Sequence, residues 1–429
     1  MKSSFKKIGV ISVPLIAVII VFVMIFGSVF NNRHASKVSA ANLMEKVKSQ
    51  NVKTVKLDNN FIKSTADFSV DLFKSSYKKD KNSLISPTSV YLALGMTANG
   101  ADKNTLKEFE SLLGGNINLK DLNTYYYSLS KDLTNIEGGK LSIANSIWYR
   151  DSQTLSIKED FLQTNADYYN ASAYKSDFSS TKTVKDINNW VKNNTGGLID
   201  NIIDSIDADT IMYLINAVYF ENQWEKPYTK SDIRKDTFNL SDGTNTNTDF
   251  MYSAENYYLK DDKAEGFMKQ YKDNKYSFVA LLPNDGVSID SYVASLSGEG
   301  FLNLIKNKSE ETVTTALPKF KSEYKISLVD SLKKMGLEEC FDSAKANFTR
   351  MGSSSEGNIY VSNVLHKTFI SVDELGTKAG AVTSVEMKSL GMALISHNII
   401  LNRPFVYAII DNETNLPLFL GTMMSPEIK

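Results

Sequence analysis

Residues 371–405 read SVDELGTKAGAVTSVEMKSLGMALISHNIILNRPF. The stretch opens as the end of a β-type run, with Phe369, Ile370 and Val372, and then loses almost all its large apolar residues. From Thr377 onward one parity holds Thr377, Ala379, Ala381, Thr383, Val385 and Met387, each small or apolar, while the other holds Lys378, Glu386 and Lys388. Successive side chains of a strand point to opposite faces, so the segment suits a strand with one slim, dry face and one wet face. Gly376, Gly380 and Gly391 punctuate it, and glycines favour an open loop. Few segments carry the marks of both.

Outside this stretch, composition sets wide bounds. The chain has 429 residues with 48 basic and 49 acidic, a net charge of −1. No basic excess exists to neutralise phosphates, which argues against a nucleic-acid partner. A hydrophobic content of 42% is ordinary for a protein with a large core. The N-terminus carries Lys2, Lys6 and Lys7 ahead of an apolar run from Ile8 to Phe30. Such a run spans a bilayer as a signal-anchor, or serves as a signal peptide with Val38-Ser39-Ala40 as its small-residue cleavage motif. Either reading puts the rest outside the cell, secreted or tethered to the membrane through residues 8–30. Residues 31–58 are polar and Lys-rich and read as a linker. The lone Cys340 can form no internal disulfide and reads as a small core residue.

Along the chain, Phe61, Phe68, Leu72 and Phe73 suit an amphipathic helix. Asn82 to Ser89 reads as a short strand and a Ser/Thr-capped turn, and the apolar helix after it should be buried. INNWVKNNTGGLI (187–199) puts Ile187, Trp190 and Val191 on one helix face. IMYLINAVYF (211–220) is a near-continuous apolar strand, as expected in a sheet covered on both faces. It runs on into NQWEKPY (222–228). Further strands fall at 276–283, 313–320 and 359–372, and the chain closes in a hairpin around Asn412–Asn415. No G-x-S-x-G, H-E-x-x-H or P-loop motif occurs, so nothing points to an enzyme, a cofactor or a metal.

These blocks, in this order, resemble the serpins, a family of protease inhibitors, and point to an exported, bacterial-type member. The likeness covers about residues 59–427. It rests on the hinge from Glu374 to Thr383, the Ser-Pro-x-Ser start at Ser86, INNWVKNNTGGLI, NAVYFENQWEKPY and FDSAKANFT (341–349). It implies an α+β serpin fold over residues 59–429, with three β-sheets, eight or nine helices and an exposed reactive-centre loop. It further implies a hinge of Glu374, Gly376, Thr377, Ala379, Gly380, Ala381 and Thr383. A shutter of Ser86, Ser89, Asn216 and His366 would hold two strands of the main sheet together, and a breach of Trp224, Lys319 and Glu374 would guard its top.

The mechanism implied is suicide inhibition. A protease cuts the loop and forms an acyl-enzyme, and the freed strand inserts into the main sheet before water can release the protease. Thr377 to Leu390 is a run of 14 residues, about 45 Å when extended. Counting sixteen residues from Glu374 puts the reactive bond at Leu390–Gly391, whereas counting back from Pro404 puts it near Ala393. Leu390, Met392 and Leu394 suit chymotrypsin-like, subtilisin-like or some cysteine proteases, and Lys388 would suit a trypsin-like one. The expected partner is that protease, held covalently by an otherwise monomeric inhibitor. The competing expectation is a non-inhibitory serpin acting as a carrier.

Overall fold

The computed structural model describes residues 36–426 except 116, 135–138, 273 and 378–396. The long apolar run of 211–220 becomes the axis of the main sheet, β6 (Met212–Gln223), whose first nine residues are all buried. On one side it pairs with β3 (Lys140–Arg150), then β5 (Ser172–Ser176) and a two-residue β1 (Ala41–Asn42). On the other side lie β15 (Asn363–Val372) and β13 (Phe320–Ser327), with a short β16 (Gly376–Thr377) wedged between β6 and β15.

A second sheet runs in the order β2 (Ser83–Ile85), β19 (Pro417–Met423), β18 (Phe405–Asp411), β11 (Tyr276–Pro283), β10 (Ala264–Gln270) and β9 (Tyr257–Lys260). A third contains β17 (His397–Ile400), β12 (Val313–Pro318), β8 (Asn245–Glu255) and β7 (Ile233–Asn239). A small pair joins β4 (Ser156–Ile157) and β14 (Gly352–Ser353). The α+β architecture of three large sheets is thus present.

Among the described residues there are nine α-helices: α1 (Asn59–Ser76), α2 (Pro87–Ala98), α3 (Lys103–Gly114), α4 (Leu119–Thr134), α5 (Glu159–Tyr169), α6 (Thr181–Asn194), α7 (Ile289–Ser295), α8 (Gly298–Lys306) and α9 (Val329–Lys334). Every residue of α2 is buried, as an all-round apolar helix requires. The expected side-chain cap at its start is absent. Ser86 occupies the N-cap without a side-chain capping bond, and its backbone N–H donates to His366 Nε2. On the opposite face of the main sheet, Ile187, Trp190 and Val191 of α6 pack with Trp148, Tyr213, Ile215 and Ala217. Their spacing on one helix face is what seats α6 there. The other face of β6, with Met212, Leu214, Val218 and Phe220, belongs to the larger core shared with the second sheet. Side-chain parity along β6 therefore decides which layer each residue faces.

The linker reading of 31–58 needs correction over its described part. Residues 38–58 lie against the body. Ala41 and Asn42 add an edge strand to β5, the Leu43 N–H donates to Ala173 O at 2.8 Å, and the Val55 N–H donates to Ser128 Oγ at 2.9 Å. Leu43, Met44, Val47 and Leu57 pack on the core. The lysines that make the segment look like a linker are its outward side chains, whereas backbone hydrogen bonds and a few apolar side chains attach it. Within the proposed cleavage motif, Ser39 Oγ donates to the Asp186 carboxylate at 2.8 Å. Residues 1–35, with the signal or anchor segment, lie outside the described residues, among which no helix is long and apolar enough to cross a membrane.

Candidate functional site

The site is a slot in the main sheet. β6 and β15 pair directly and in parallel only from Tyr213↔Asn363 to Ala217↔Lys367. Above that the strands part, and at the top β16 fills the space, with Thr377 opposite both Asn222 and Val372 and Gly376 opposite Gln223. Between the closed segment and β16, the slot is flanked by Val218–Glu221 on one strand and Thr368–Ser371 on the other. The sequence read the hinge as a strand still to form, but its first two residues are already in place. Gly376 permits this by close approach, since a Cβ there would sit 2.1 Å from Asn222 O. Thr377 is 1% exposed, its Oγ1 lying 2.5 Å from the Tyr271 hydroxyl.

At the closed end, the four residues expected to form the shutter come together. The Ser86 N–H donates to His366 Nε2 at 3.1 Å, so this nitrogen is the acceptor and Nδ1 carries the proton. Nδ1 in turn donates to Asn216 Oδ1 at 2.7 Å, which also accepts from Ser89 Oγ at 2.7 Å. The Asn216 amide donates to Ser89 O at 3.0 Å and to Asn145 Oδ1 at 2.6 Å. Asn145 was not anticipated, because a lone Asn in a strand gives no signal of its partner across β3 and β6.

Burial pushes the His366 pKa down from 6.5 to about 3. A proton on Nε2 would also confront the Ser86 N–H. The unfolded chain binds that proton near pH 6.5 and the fold refuses it until about pH 3. The stability His366 contributes is therefore whole above pH 6.5 and is lost as pH falls toward 3. Chemical unfolding across this window should show the wild-type protein losing up to about 1.4 kcal/mol more per pH unit than His366→Gln. Parallel curves for the two would mean that another group governs acid sensitivity.

At the open end, Lys319 Nζ lies 2.6 Å from Glu374 Oε2. Lys319 sits between β12 and β13, where the chain passes from the third sheet to the main sheet. Burial is the largest single influence and works to raise the Glu374 carboxyl, but the hydrogen bond and charge of Lys319 and a backbone hydrogen bond together outweigh it and hold the pKa below its usual value. Trp224 is 1% exposed and stacks on Tyr271 at 4.6 Å. Its indole N–H donates to Asp373 O at 2.8 Å and its backbone N–H to Leu375 O at 3.0 Å. The Tyr228 N–H donates to Glu374 O at 2.9 Å, and Asp373 Oδ1 accepts from the Leu375 and Gly376 N–H groups. Tyr228, Tyr271 and Asp373 were missed, since their contacts reach across distant chain segments. Ala379, Gly380, Ala381, Thr383, Leu390 and Gly391 lie outside the described residues.

A family model described as serpin (serine protease inhibitor) matches residues 63–426, which span all three sheets and both ends of this slot. The chain belongs to the serpin family. Among its relatives, human neuroserpin is 31% identical over 384 residues, covering 84% of this chain and 91% of neuroserpin. The native-state structure of the thermophilic serpin tengpin is 49% identical, with a TM-score of 0.87 over 90% of this chain and all of that one. The latent state of tengpin matches with a TM-score of 0.78 over 87% of this serpin. A thyroxine-binding globulin bound to thyroxine shares the fold at 25% identity, with a TM-score of 0.76 over 86% of this chain and 99% of that one.

Proposed function

We propose that this serpin is an irreversible suicide-substrate inhibitor of serine endopeptidases, with cysteine endopeptidases as a further class, acting outside the cell. The observation that carries the reading is β16, a strand begun at the top of a slot whose middle no other described residue fills. Its pairing sets a register for whatever follows. Continued downward and antiparallel to both neighbours, Ala379 would meet Phe220 and Ile370, Ala381 would meet Val218 and Thr368, and Thr383 would meet Asn216 and His366. Side chains opposite one another share a face, so Thr377, Ala379, Ala381 and Thr383 would all point into the larger core. Their small size lets them enter without displacing it. Lys378 would come opposite Glu221 on the other face, where a positive charge is welcome. By the same register Met387 would reach Met212, the first residue of β6, so the strand up to Leu390 is long enough to fill the slot.

In the proposed reaction the nucleophile of the protease attacks the Leu390 carbonyl, the bond to Gly391 breaks, and the Gly391 amine leaves with a proton. The acyl group stays on the protease while the new strand carries it down the sheet. Arrival of Thr383 must part the Asn216–His366 bond. Before cutting, the Glu374–Lys319 pair and the hydrogen bonds of Trp224 hold the strand at its first two residues.

The test is incubation with a panel of proteases. Chymotrypsin-like or subtilisin-like enzymes should give an adduct stable to denaturing detergent, with mass spectrometry locating the new terminus at Leu390. Cuts at Lys388, Met392 or Ala393 would shift the bond but keep the mechanism. A loop that is cleaved with neither adduct nor gain in thermal stability would favour a carrier role, as thyroxine-binding globulin exemplifies on this fold.

A further inference from the structure

All three sheets meet at one buried ammonium. Lys269, near the end of β10, has a side chain only 2% exposed, and its Nζ lies 2.7 Å from Glu255 Oε1 at the end of β8. The same Nζ lies 4.3 Å from the centroid of the Tyr228 ring and 5.5 Å from that of Trp224, just past the end of β6. Burial is the largest single influence and would lower the Lys269 pKa, but the charge and hydrogen bonding of Glu255 and Tyr228 together outweigh it and hold the group above its usual value. A buried cation is tolerated where it is paired and faces aromatic rings.

The rings it faces belong to the residues that hold the hinge. The Tyr228 N–H takes Glu374 O, and the two N–H groups of Trp224 take Leu375 O and Asp373 O. On its other side, Glu255 accepts from Ser253 Oγ at 2.5 Å, which in turn lies 3.0 Å from Thr315 Oγ1 of β12. Thr315 is paired with Ile399 of β17, the first strand after the loop. The ion pair thus stands between the two roots of the reactive loop.

We propose that Lys269, through Glu255 and the rings of Tyr228 and Trp224, is a positioning residue that keeps β16 seated at the top of the slot and so raises the share of acyl-enzyme that ends trapped. This rests on the inhibitory reading above. With the cation gone, the two rings lose a common anchor, the hinge is no longer held at its starting register, and hydrolysis gains on insertion.

The experiment compares wild type, Lys269→Met and the double variant Lys269→Met/Glu255→Met against one protease, well below their unfolding temperatures. It measures the ratio of trapped adduct to released cut inhibitor together with thermal stability. Lys269→Met should lower the trapped-to-released ratio roughly threefold to tenfold, within the lower part of the range of couplings between contacting groups. The double variant buries no unpaired charge and should recover thermal stability, yet still trap poorly because the cation is absent. A wild-type ratio in Lys269→Met, or a double variant that regains both stability and trapping, would overturn the proposal. A wild-type protein that traps nothing removes the inhibitory reading itself, and this is seen before any variant is compared.

Discussion

A Thr377→Arg variant is expected to be cut by the target protease as readily as the parent and to trap none of it. Thr377 is already in the sheet, 1% exposed, with its hydroxyl against Tyr271. A guanidinium at that place has no carboxylate on the core face among the residues that flank it, Asn222 and Val372. Burying a charge unpaired costs several kcal/mol. The variant should therefore expel β16 from the uncut protein, and after cleavage it must bury the same charge before any later residue can follow. Each 1.4 kcal/mol slows a step about tenfold, so a few kcal/mol at the first position hands the outcome to hydrolysis. On a denaturing gel the adduct band should vanish while the cut inhibitor accumulates. Adduct at the parental yield would show that Thr377 need not enter the sheet, and the register argument would fall with it.

The largest loss of stability is expected from Asn216→Ala. Its side chain takes part in four hydrogen bonds, to Ser89 twice, His366 and Asn145, all of them in the buried interior. Alanine would leave the His366 Nδ1–H and Asn145 Oδ1 to find other partners in an apolar setting, and the Ser89 hydroxyl would fall back on Ser86 O at 3.0 Å. Each orphaned buried group costs about 1–3 kcal/mol, and with partial relaxation the sum should be about 3–6 kcal/mol. The unfolding midpoint of the uncut protein in denaturant reads this directly. A loss below about 1 kcal/mol would mean the groups re-pair locally, and that Asn216 is not what joins β6 to β15.

Much of this was legible before any coordinates. The apolar run of β6 and the one-sided face of α6 are pattern signals, and such signals survive because packing enforces them. The shutter and breach were named from resemblance, since nothing local ties His366 to Asn216 or Lys319 to Glu374. Other features left no such mark. β8 reads NTNTDFMYSAE, mostly polar because much of it faces solvent, so its strand character is hidden. Lys269 looks like an ordinary surface lysine until three sheets close over it. Residues 38–58 looked like a linker because backbone bonds, which any side chain permits, and only a few scattered apolar side chains fasten them. That β16 is already inserted depends on how closely Gly376 approaches Asn222, a matter of tertiary distance.

The two-residue strand β1 has a consequence for how molecules of this protein meet one another. Sheets usually associate through unpaired outer strands. Here β1 and the Leu43 N–H cover part of one margin of the main sheet. The other margin, β13, sets Lys321, Glu323 and Lys325 toward solvent, a charged fringe that discourages a neighbour. Growth at the rim is thereby hindered, and among the described residues the open stretch lies at the centre, between β6 and β15. A foreign strand would meet the same opening that the proposed mechanism reserves for the molecule's own loop. On the proposed reading, a strand from a second molecule and the protein's own cut loop would be rivals for one cleft.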